Sequence, residues 1–321
     1  MPSLGADMAE GVLLGWLKKP GDAVRKGEII AEVETDKGVI QVESFAAGTI
    51  DRLLVEPGTA TPVGAPLAII REDGGGGAKP APAKPAVPPS ARRPAADQGE
   101  KSDRMRRAIA ASMEHSKREI PHYYVSETID MKAAMDWLSE HNAALPVAER
   151  LIYGALLLKG VALALRDYPE LNASWKDGRA VLFPSIHVGA AIALRPSGLV
   201  APALKNADKQ SLSELMLNFK GLVERAKSES LRASELSDAT VTVTSLGERG
   251  AESAFAVIVP PQSAIVGFGR IIEKPWVVDG HVVARPLVTA TLAGDHRVSD
   301  AHRGGLFLRA VSRLLRNPAA L

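Results

Sequence analysis

The sequence predicts a multidomain chain: a small all-β sandwich over residues 1–72, a flexible linker over 73–102 and a larger α+β domain over 103–321. Three observations carry this expectation. The linker opens with Gly74-Gly75-Gly76-Gly77 and runs through Ala78-Lys79-Pro80-Ala81-Pro82-Ala83-Lys84-Pro85 to Arg92-Arg93-Pro94. Proline lacks the backbone donor that helices and sheet ladders need, so alternating Ala and Pro stay extended and solvated, as a semi-rigid spacer. The segment before it consists of short apolar runs between turn signals. The segment after it mixes runs of helix length and helix period with runs of strand length.

In residues 1–72 the runs Gly27-Glu28-Ile29-Ile30-Ala31-Glu32-Val33 and Leu67-Ala68-Ile69-Ile70 read as strands. Pro20-Gly21-Asp22 precedes Gly27 by the same interval that separates Pro57-Gly58-Thr59 from Gly64, and an apolar strand follows each glycine. This internal repeat predicts two similar halves, each too small to bury its own apolar face. Between the halves lies Glu32-Val33-Glu34-Thr35-Asp36-Lys37-Gly38-Val39-Ile40-Gln41-Val42-Glu43, whose central Asp-Lys-Gly places Lys37 at the tip of a tight hairpin. A lysine in a turn is ordinarily just solvated; its position between two half-repeats is what sets this one apart.

In residues 103–321, Arg104 to Arg118 reads as an amphipathic helix, Tyr123 to Ile129 as a strand and Leu151 to Leu165 as an apolar helix. Ser211-Leu212-Ser213-Glu214 is a capping box that opens a helix running to about Lys227. Val277-Val278-Asp279-Gly280-His281-Val282-Val283 predicts a hairpin turning on Asp-Gly. A strand from Leu287 to Leu292 and a last helix from about Asp300 to Arg316 flank Ala293-Gly294-Asp295-His296-Arg297-Val298-Ser299-Asp300. A histidine at such a junction can reach a cleft, and its ordinary pKa of ~6.5 suits a base near neutrality. The plainer alternative is a histidine bonded within the junction.

Composition narrows the function classes. With 46% hydrophobic and 24% charged residues the chain can bury a sizeable core. A formal charge of +2 gives no strong attraction to nucleic acid or an anionic membrane. The absence of cysteine excludes disulfides, thiolate nucleophiles and thiolate metal sites. No apolar run approaches the ~20 residues that span a bilayer, and no basic-then-apolar leader opens the sequence as written. A cytoplasmic location is the expectation.

Met1-Pro2-Ser3-Leu4-Gly5, Lys19-Pro20-Gly21-Asp22 and Glu34-Thr35-Asp36-Lys37 resemble a lipoyl domain, a barrel-sandwich hybrid, across nearly all of residues 1–72. Biotin domains typically set methionines on both sides of the modified lysine; here the neighbours are Asp36 and Gly38. The resemblance implies that Lys37 carries lipoic acid as an amide, on an arm free to swing. An edge strand usually precedes the first of these motifs, whereas this sequence starts at it, which implies either a late start or a shortened first strand.

Asp295-His296-Arg297-Val298-Ser299-Asp300 resembles the active-site motif of the acyltransferases of 2-oxo acid or acetoin dehydrogenase complexes, whose catalytic domain is chloramphenicol-acetyltransferase-like. Met105-Arg106-Arg107-Ala108-Ile109-Ala110, Ile120-Pro121-His122-Tyr123-Tyr124, Leu171-Asn172-Ala173-Ser174-Trp175, Gly198-Leu199-Val200-Ala201-Pro202, Lys205-Asn206-Ala207-Asp208 and Thr240-Val241-Thr242-Val243-Thr244-Ser245-Leu246-Gly247 agree with it, in order. The resemblance implies acyl transfer, acetyl above all, between the lipoyl arm and coenzyme A. His296 is then the general base, and Thr244 the hydroxyl that steadies the oxyanion, with Ser245 a weaker substitute. The 52 positions from Thr244 to His296 leave room for strands and a hairpin to return the chain to the cleft. Asp300 would organise the motif through an arginine or a backbone group. The family usually has glycine at position 301, where this chain has Ala301.

The resemblance also implies a homotrimer with active sites between subunits, assembling into a larger shell through the apolar C-terminal tail. The implied partners are the dehydrogenase/decarboxylase and dihydrolipoamide dehydrogenase components. Residues 73–102 are too short and proline-rich for the small helical domain that often docks those partners. Two rivals stand beside this reading: a non-catalytic, lipoyl-carrying scaffold, and a free-standing acetyltransferase acting on a small alcohol or amine.

Overall fold

The computed structural model describes residues 10–35, 38–72, 96–194 and 198–321. The chain divides into two compact units, an N-terminal β unit and a larger α+β unit.

Among the described residues the N-terminal unit has seven strands: β1 (Glu10–Trp16), β2 (Ala23–Val24), β3 (Ile29–Thr35), β4 (Gly38–Glu43), β5 (Gly48–Leu53), β6 (Ala60–Pro62) and β7 (Ala68–Arg71). They form a sheet of order β4-β3-β1-β6 and a second of order β2-β5-β7. The repeat read from sequence is structural. Gly21, Gly27, Gly58 and Gly64 all have φ between 82° and 93°, a region that side-chain-bearing residues rarely adopt. The halves interlock through reciprocal bonds: Gly21 N–H donates to Ile50 C=O and Gly58 N–H to Leu13 C=O, each at 2.7 Å. Likewise Ile50 N–H donates to Asp22 C=O and Leu13 N–H to Thr59 C=O. Leu13 and Ile50, equivalent residues of the two halves, are both fully buried in one core with Val24, Ile30, Val33, Val42 and Leu67. Neither half closes without the other.

β3 and β4 pair antiparallel, with Thr35 opposite Gly38. Asp36 and Lys37 join these paired ends and lie outside the described residues, as do residues 1–9 and 73–95. The hairpin-tip expectation for Lys37, and most of the expected linker, therefore fall on residues that the structure does not describe.

Helix α1 (Ala96–Glu119) begins inside the stretch expected to be linker. The physical reason is that Pro94 is the last proline there, and the residues from Ala96 onward tolerate helix. The larger unit continues with β8 (His122–Asp130), α2 (Lys132–Ala143), α3 (Tyr153–Ala164), the hairpin β9 (Ala173–Lys176) and β10 (Arg179–Leu182), β11 (Val188–Ala190), β12 (Ile192–Leu194), β13 (Gly198–Val200) and β14 (Ala203–Leu204). Then come α4 (Leu212–Lys227), α5 (Ala233–Ser237), β15 (Val241–Ser245), β16 (Ala264–Phe268), β17 (Ile272–Val278), β18 (His281–Asp295) and α6 (Ala301–Arg316).

The main sheet is mixed: β11, β15 and β16 run parallel, while β14, β8, β17 and β18 pair antiparallel. Strand β18, 15 residues long, organises it. Its first half pairs with β17 around the expected turn, where Asp279 and Gly280 have φ of 51° and 79°. Its second half pairs with both β16 and β8. Helix α6 packs on β8, β18 and α3. The capping box forms as expected: Ser211 Oγ accepts from Glu214 N–H and the Glu214 carboxylate accepts from Ser211 N–H.

Lys159 of the apolar helix α3 is among the charged residues buried inside this unit, only 4% exposed. Its ammonium donates to the carbonyls of Asp208 at 2.9 Å, Ala207 at 3.4 Å and Gln210, thereby closing the turn after β14. Burial lowers its pKa from the usual lysine value. Lys159→Met removes the donors and leaves buried carbonyls unpaired, and should cost about 3 kcal/mol in urea unfolding. Val277→Ser, at the exposed hairpin end, should stay within about 0.5 kcal/mol. A Lys159→Met chain as stable as wild type would show that the ammonium does not hold the turn.

Candidate active site

Strand β18 delivers the histidine motif. Asp295 is its last residue, 1% exposed, and stands opposite His122 of β8. A carboxylate buried that deeply needs several donors. Asp295 has them: Arg297 donates from Nε to both carboxylate oxygens (3.0 and 3.2 Å), from Nη2 to Oδ2 at 2.7 Å, and from its backbone N–H to Oδ1 at 3.0 Å. Trp175 covers the guanidinium, 5.4 Å from ring centroid to Cζ. The Val298 and Ser299 N–H groups donate to Asp295 C=O. The chain is thus wound into a tight turn one residue after the strand, and His296, on that turn, is exposed. Its backbone N–H donates to Pro121 C=O at 2.9 Å, which ties the turn to the start of β8.

The start of β8 is itself braced. His122 is half-buried, donates from Nδ1 to Ile120 C=O (2.8 Å) and accepts Ile258 N–H on Nε2 (3.1 Å), so it is the neutral Nδ1–H tautomer. Burial lowers its pKa, in keeping with that neutral state. Ile120, Ile258, Ile265 and Ala293 make an apolar cluster behind the turn.

Asp300 is the N-cap of α6, and its carboxylate accepts Arg303 N–H at 2.8 Å. Of the two routes expected for Asp300, the structure uses the backbone one. Position 301 needs no glycine, because Ala301 is the first residue of the helix and has ordinary helical backbone. The substitution leaves the cap intact.

Thr244 lies elsewhere in the sheet. It is half-buried near the end of β15, opposite Gly267 of β16, which is in turn opposite Thr291 of β18. Two strand spacings of ~4.8 Å separate Thr244 from Thr291, and His296 lies five residues farther on at ~3.3 Å each. Within one chain Thr244 and His296 are therefore on the order of 15 Å apart or more. The 52-residue interval does return the chain to the same sheet, but to opposite ends of its strands. Ser245, next to Thr244, is exposed and accepts Gly247 N–H at 3.4 Å.

Tyr123, quoted above only as part of a motif, touches His296 directly. The two rings meet edge-to-face with centroids 5.5 Å apart and an interplanar angle of 80°. Asp295 and Arg297 flank His296 in the motif itself, and their pairing is visible only in the structure. Among the described residues no group of His, Asp and Glu side chains could hold a metal ion, and no helix is long and apolar enough to cross a membrane.

Residues 94–321 match the family described as 2-oxoacid dehydrogenases acyltransferase (catalytic domain), and residues 1–70 match the family described as biotin-requiring enzyme. The dihydrolipoyllysine-residue acetyltransferase component of the pyruvate dehydrogenase complex of Rhizobium meliloti (strain 1021) is 28% identical, the match covering 100% of this chain and 98% of that protein. The cubic core of a pyruvate dehydrogenase multienzyme complex superposes with a TM-score of 0.64 at 28% identity, over 68% of this chain and 90% of that one. An Azotobacter vinelandii dihydrolipoamide acetyltransferase gives the same values; its catalytic mechanism was investigated at a serine, a histidine 52 positions later and an asparagine four beyond that. The chain belongs to the family of 2-oxoacid dehydrogenase acyltransferases, with a biotin/lipoyl domain ahead of the catalytic domain.

Proposed function

We propose that the chain is a dihydrolipoamide acyltransferase that moves an acetyl group between a lipoyl group on Lys37 and coenzyme A. The observation that carries the reading is the exposed His296 on a turn wound around the buried Asp295–Arg297 pair. The intervals from Thr244 to His296 and from His296 to Asp300 equal those between the serine, histidine and asparagine studied in the Azotobacter vinelandii relative. Lys37 is the candidate attachment point, because the β3–β4 register leaves it and Asp36 as the two residues between the paired ends. A lipoyl group there would supply the thiol that carries the acyl group.

The chain's own residues divide the work. His296 takes the proton of the coenzyme A thiol, which raises its nucleophilicity toward the acyl carbonyl. The Thr244 hydroxyl donates to the oxyanion that develops on that carbonyl. Asp300 keeps the first turn of α6 in register behind the histidine. Because one chain holds Thr244 and His296 far apart, each site is shared: His296 comes from one copy and Thr244 from its neighbour. Any closed ring of copies, a dimer included, has that property; the cubic core formed by a relative, whose symmetry contains threefold axes, supports a homotrimer built into a larger shell. Transfer within a pyruvate dehydrogenase complex, beside its dehydrogenase and dihydrolipoamide dehydrogenase components, follows from the relatives' functions.

Protein made with lipoate and a ligase should show one lipoyl mass adduct, absent in Lys37→Ala; an adduct that survives the substitution moves the site elsewhere. In acetyl transfer from acetyl-coenzyme A to dihydrolipoamide, His296→Ala should lower kcat by roughly 10²–10⁴. Thr244→Val should lower it by about 10²–10³ with KM little changed, and Thr244→Ser should keep most activity. A crippled Ser245→Ala beside a normal Thr244→Val would shift the hydroxyl assignment by one residue. A fully active His296→Ala would overturn the mechanism.

A further inference from the structure

The sheet builds a slot for one aromatic ring beside His296. Tyr123 is 7% exposed and stands opposite Gly294 in the β8–β18 pairing. A Cβ on Gly294 would lie 2.4–2.5 Å from the Tyr123 ring and hydroxyl. A Cβ on Gly304, one turn into α6, would lie 2.9 Å from Cε2 and the hydroxyl of the same ring. Real Cβ atoms do not approach so closely, so both glycines are required by the ring, one from the strand and one from the helix. The hydroxyl is fixed as well, at 2.8 Å from Ser299 Oγ, on the turn that carries His296. The ring is therefore held at two walls and at its far end, and it presents itself to the imidazole.

His296 has little else to orient it. Among the described residues of the chain, no side chain or carbonyl hydrogen-bonds its ring. Its ring packs edge-to-face on Tyr123. Edge-to-face aromatic pairs have a preferred geometry and contribute beyond their buried area. We propose that Tyr123, locked by Gly294, Gly304 and Ser299, is the positioning residue that sets the rotamer of His296. In this role Tyr123 acts through the histidine. The inference rests on the reading of His296 as the base.

A positioning role predicts loss in kcat with binding intact, since misplacing a catalytic group by about 1 Å can cost about 10²-fold. The full chain is assayed for acetyl transfer with coenzyme A concentration varied. Tyr123→Leu should lower kcat about 100-fold with KM for coenzyme A within about twofold. Tyr123→Phe, which keeps the ring, should recover most of that, leaving a deficit of about fivefold for the lost hydroxyl bond. Ser299→Ala should show the same small deficit, and the Tyr123→Phe/Ser299→Ala double variant should be no slower than either single one, because both remove one bond. Gly304→Ala, which pushes the ring while keeping every functional group, should lose kcat as Tyr123→Leu does. It decides the matter if the leucine variant fails to fold.

The inference is overturned if folded Tyr123→Leu and Gly304→Ala both keep kcat within twofold, or if their losses appear in KM alone. His296→Ala is run alongside. If it is inactive while the Tyr123 variants are normal, the positioning role fails and the base stands. If it remains active, the base reading itself fails.

Discussion

The geometry of the candidate site depends on one buried ion pair. Asp295 has almost no contact with solvent, and a lone carboxylate there would cost several kcal/mol. Its charge is met within two residues by Arg297, through side chain and backbone together. That local pairing forces the chain to turn as soon as β18 ends, so the residue between the two charges is thrown outward. His296 is exposed because its neighbours are not. The pair also explains why helix α6 starts where it does: the turn spends Val298 and Ser299 on Asp295 C=O, and Asp300 is the first residue free to cap a helix.

Everything else at this end of the sheet serves that turn. Strand β18 is held along its second half by β8 and β16, which fixes where the turn begins. His122 and the cluster of Ile120, Ile258, Ile265 and Ala293 brace it on one side; Tyr123, wedged between Gly294 and Gly304, braces it on the other. Alternation along β8 makes this division possible, since adjacent residues of a strand face opposite ways. The same strand geometry keeps Thr244 at the opposite end of the sheet. On the proposed reading one chain offers two half-sites rather than one site, and assembly with other copies brings them together.

Much of this was legible in the sequence because the relevant rules are local. The spaced glycines of the N-terminal repeat, the Ser211–Glu214 box and the Asp279-Gly280 turn each act within a few residues, and each is found as expected. The histidine motif stands out by resemblance, while the pairing of Asp295 with Arg297 inside it is seen only in the structure. What was not legible depends on pairing register. Tyr123 meets Gly294 across strands 171 positions apart in sequence, and no spacing rule joins them. The interval between Thr244 and His296 does not say at which strand ends the two lie; the register of β15, β16 and β18 sets them at opposite ends within one chain. Position 301 follows a simpler rule: a helix N-terminus suits alanine as well as glycine. The start of α1 is hidden because the small, polar and mostly acidic residues after Pro94 resemble linker in composition, while carrying no proline to stop a helix.

The central claim is that His296 and Thr244 act together across two copies of the chain. It is tested by co-expressing His296→Ala and Thr244→Val chains and measuring acetyl transfer by the mixed assemblies. In a randomly mixed cyclic trimer, about three-quarters of the assemblies contain both chains and each of these has one intact site of three, so activity should return to about a quarter of wild type, far above either variant alone. Mixed assemblies no more active than the average of the two parents would contradict the account, and would place both groups of each site on the same chain.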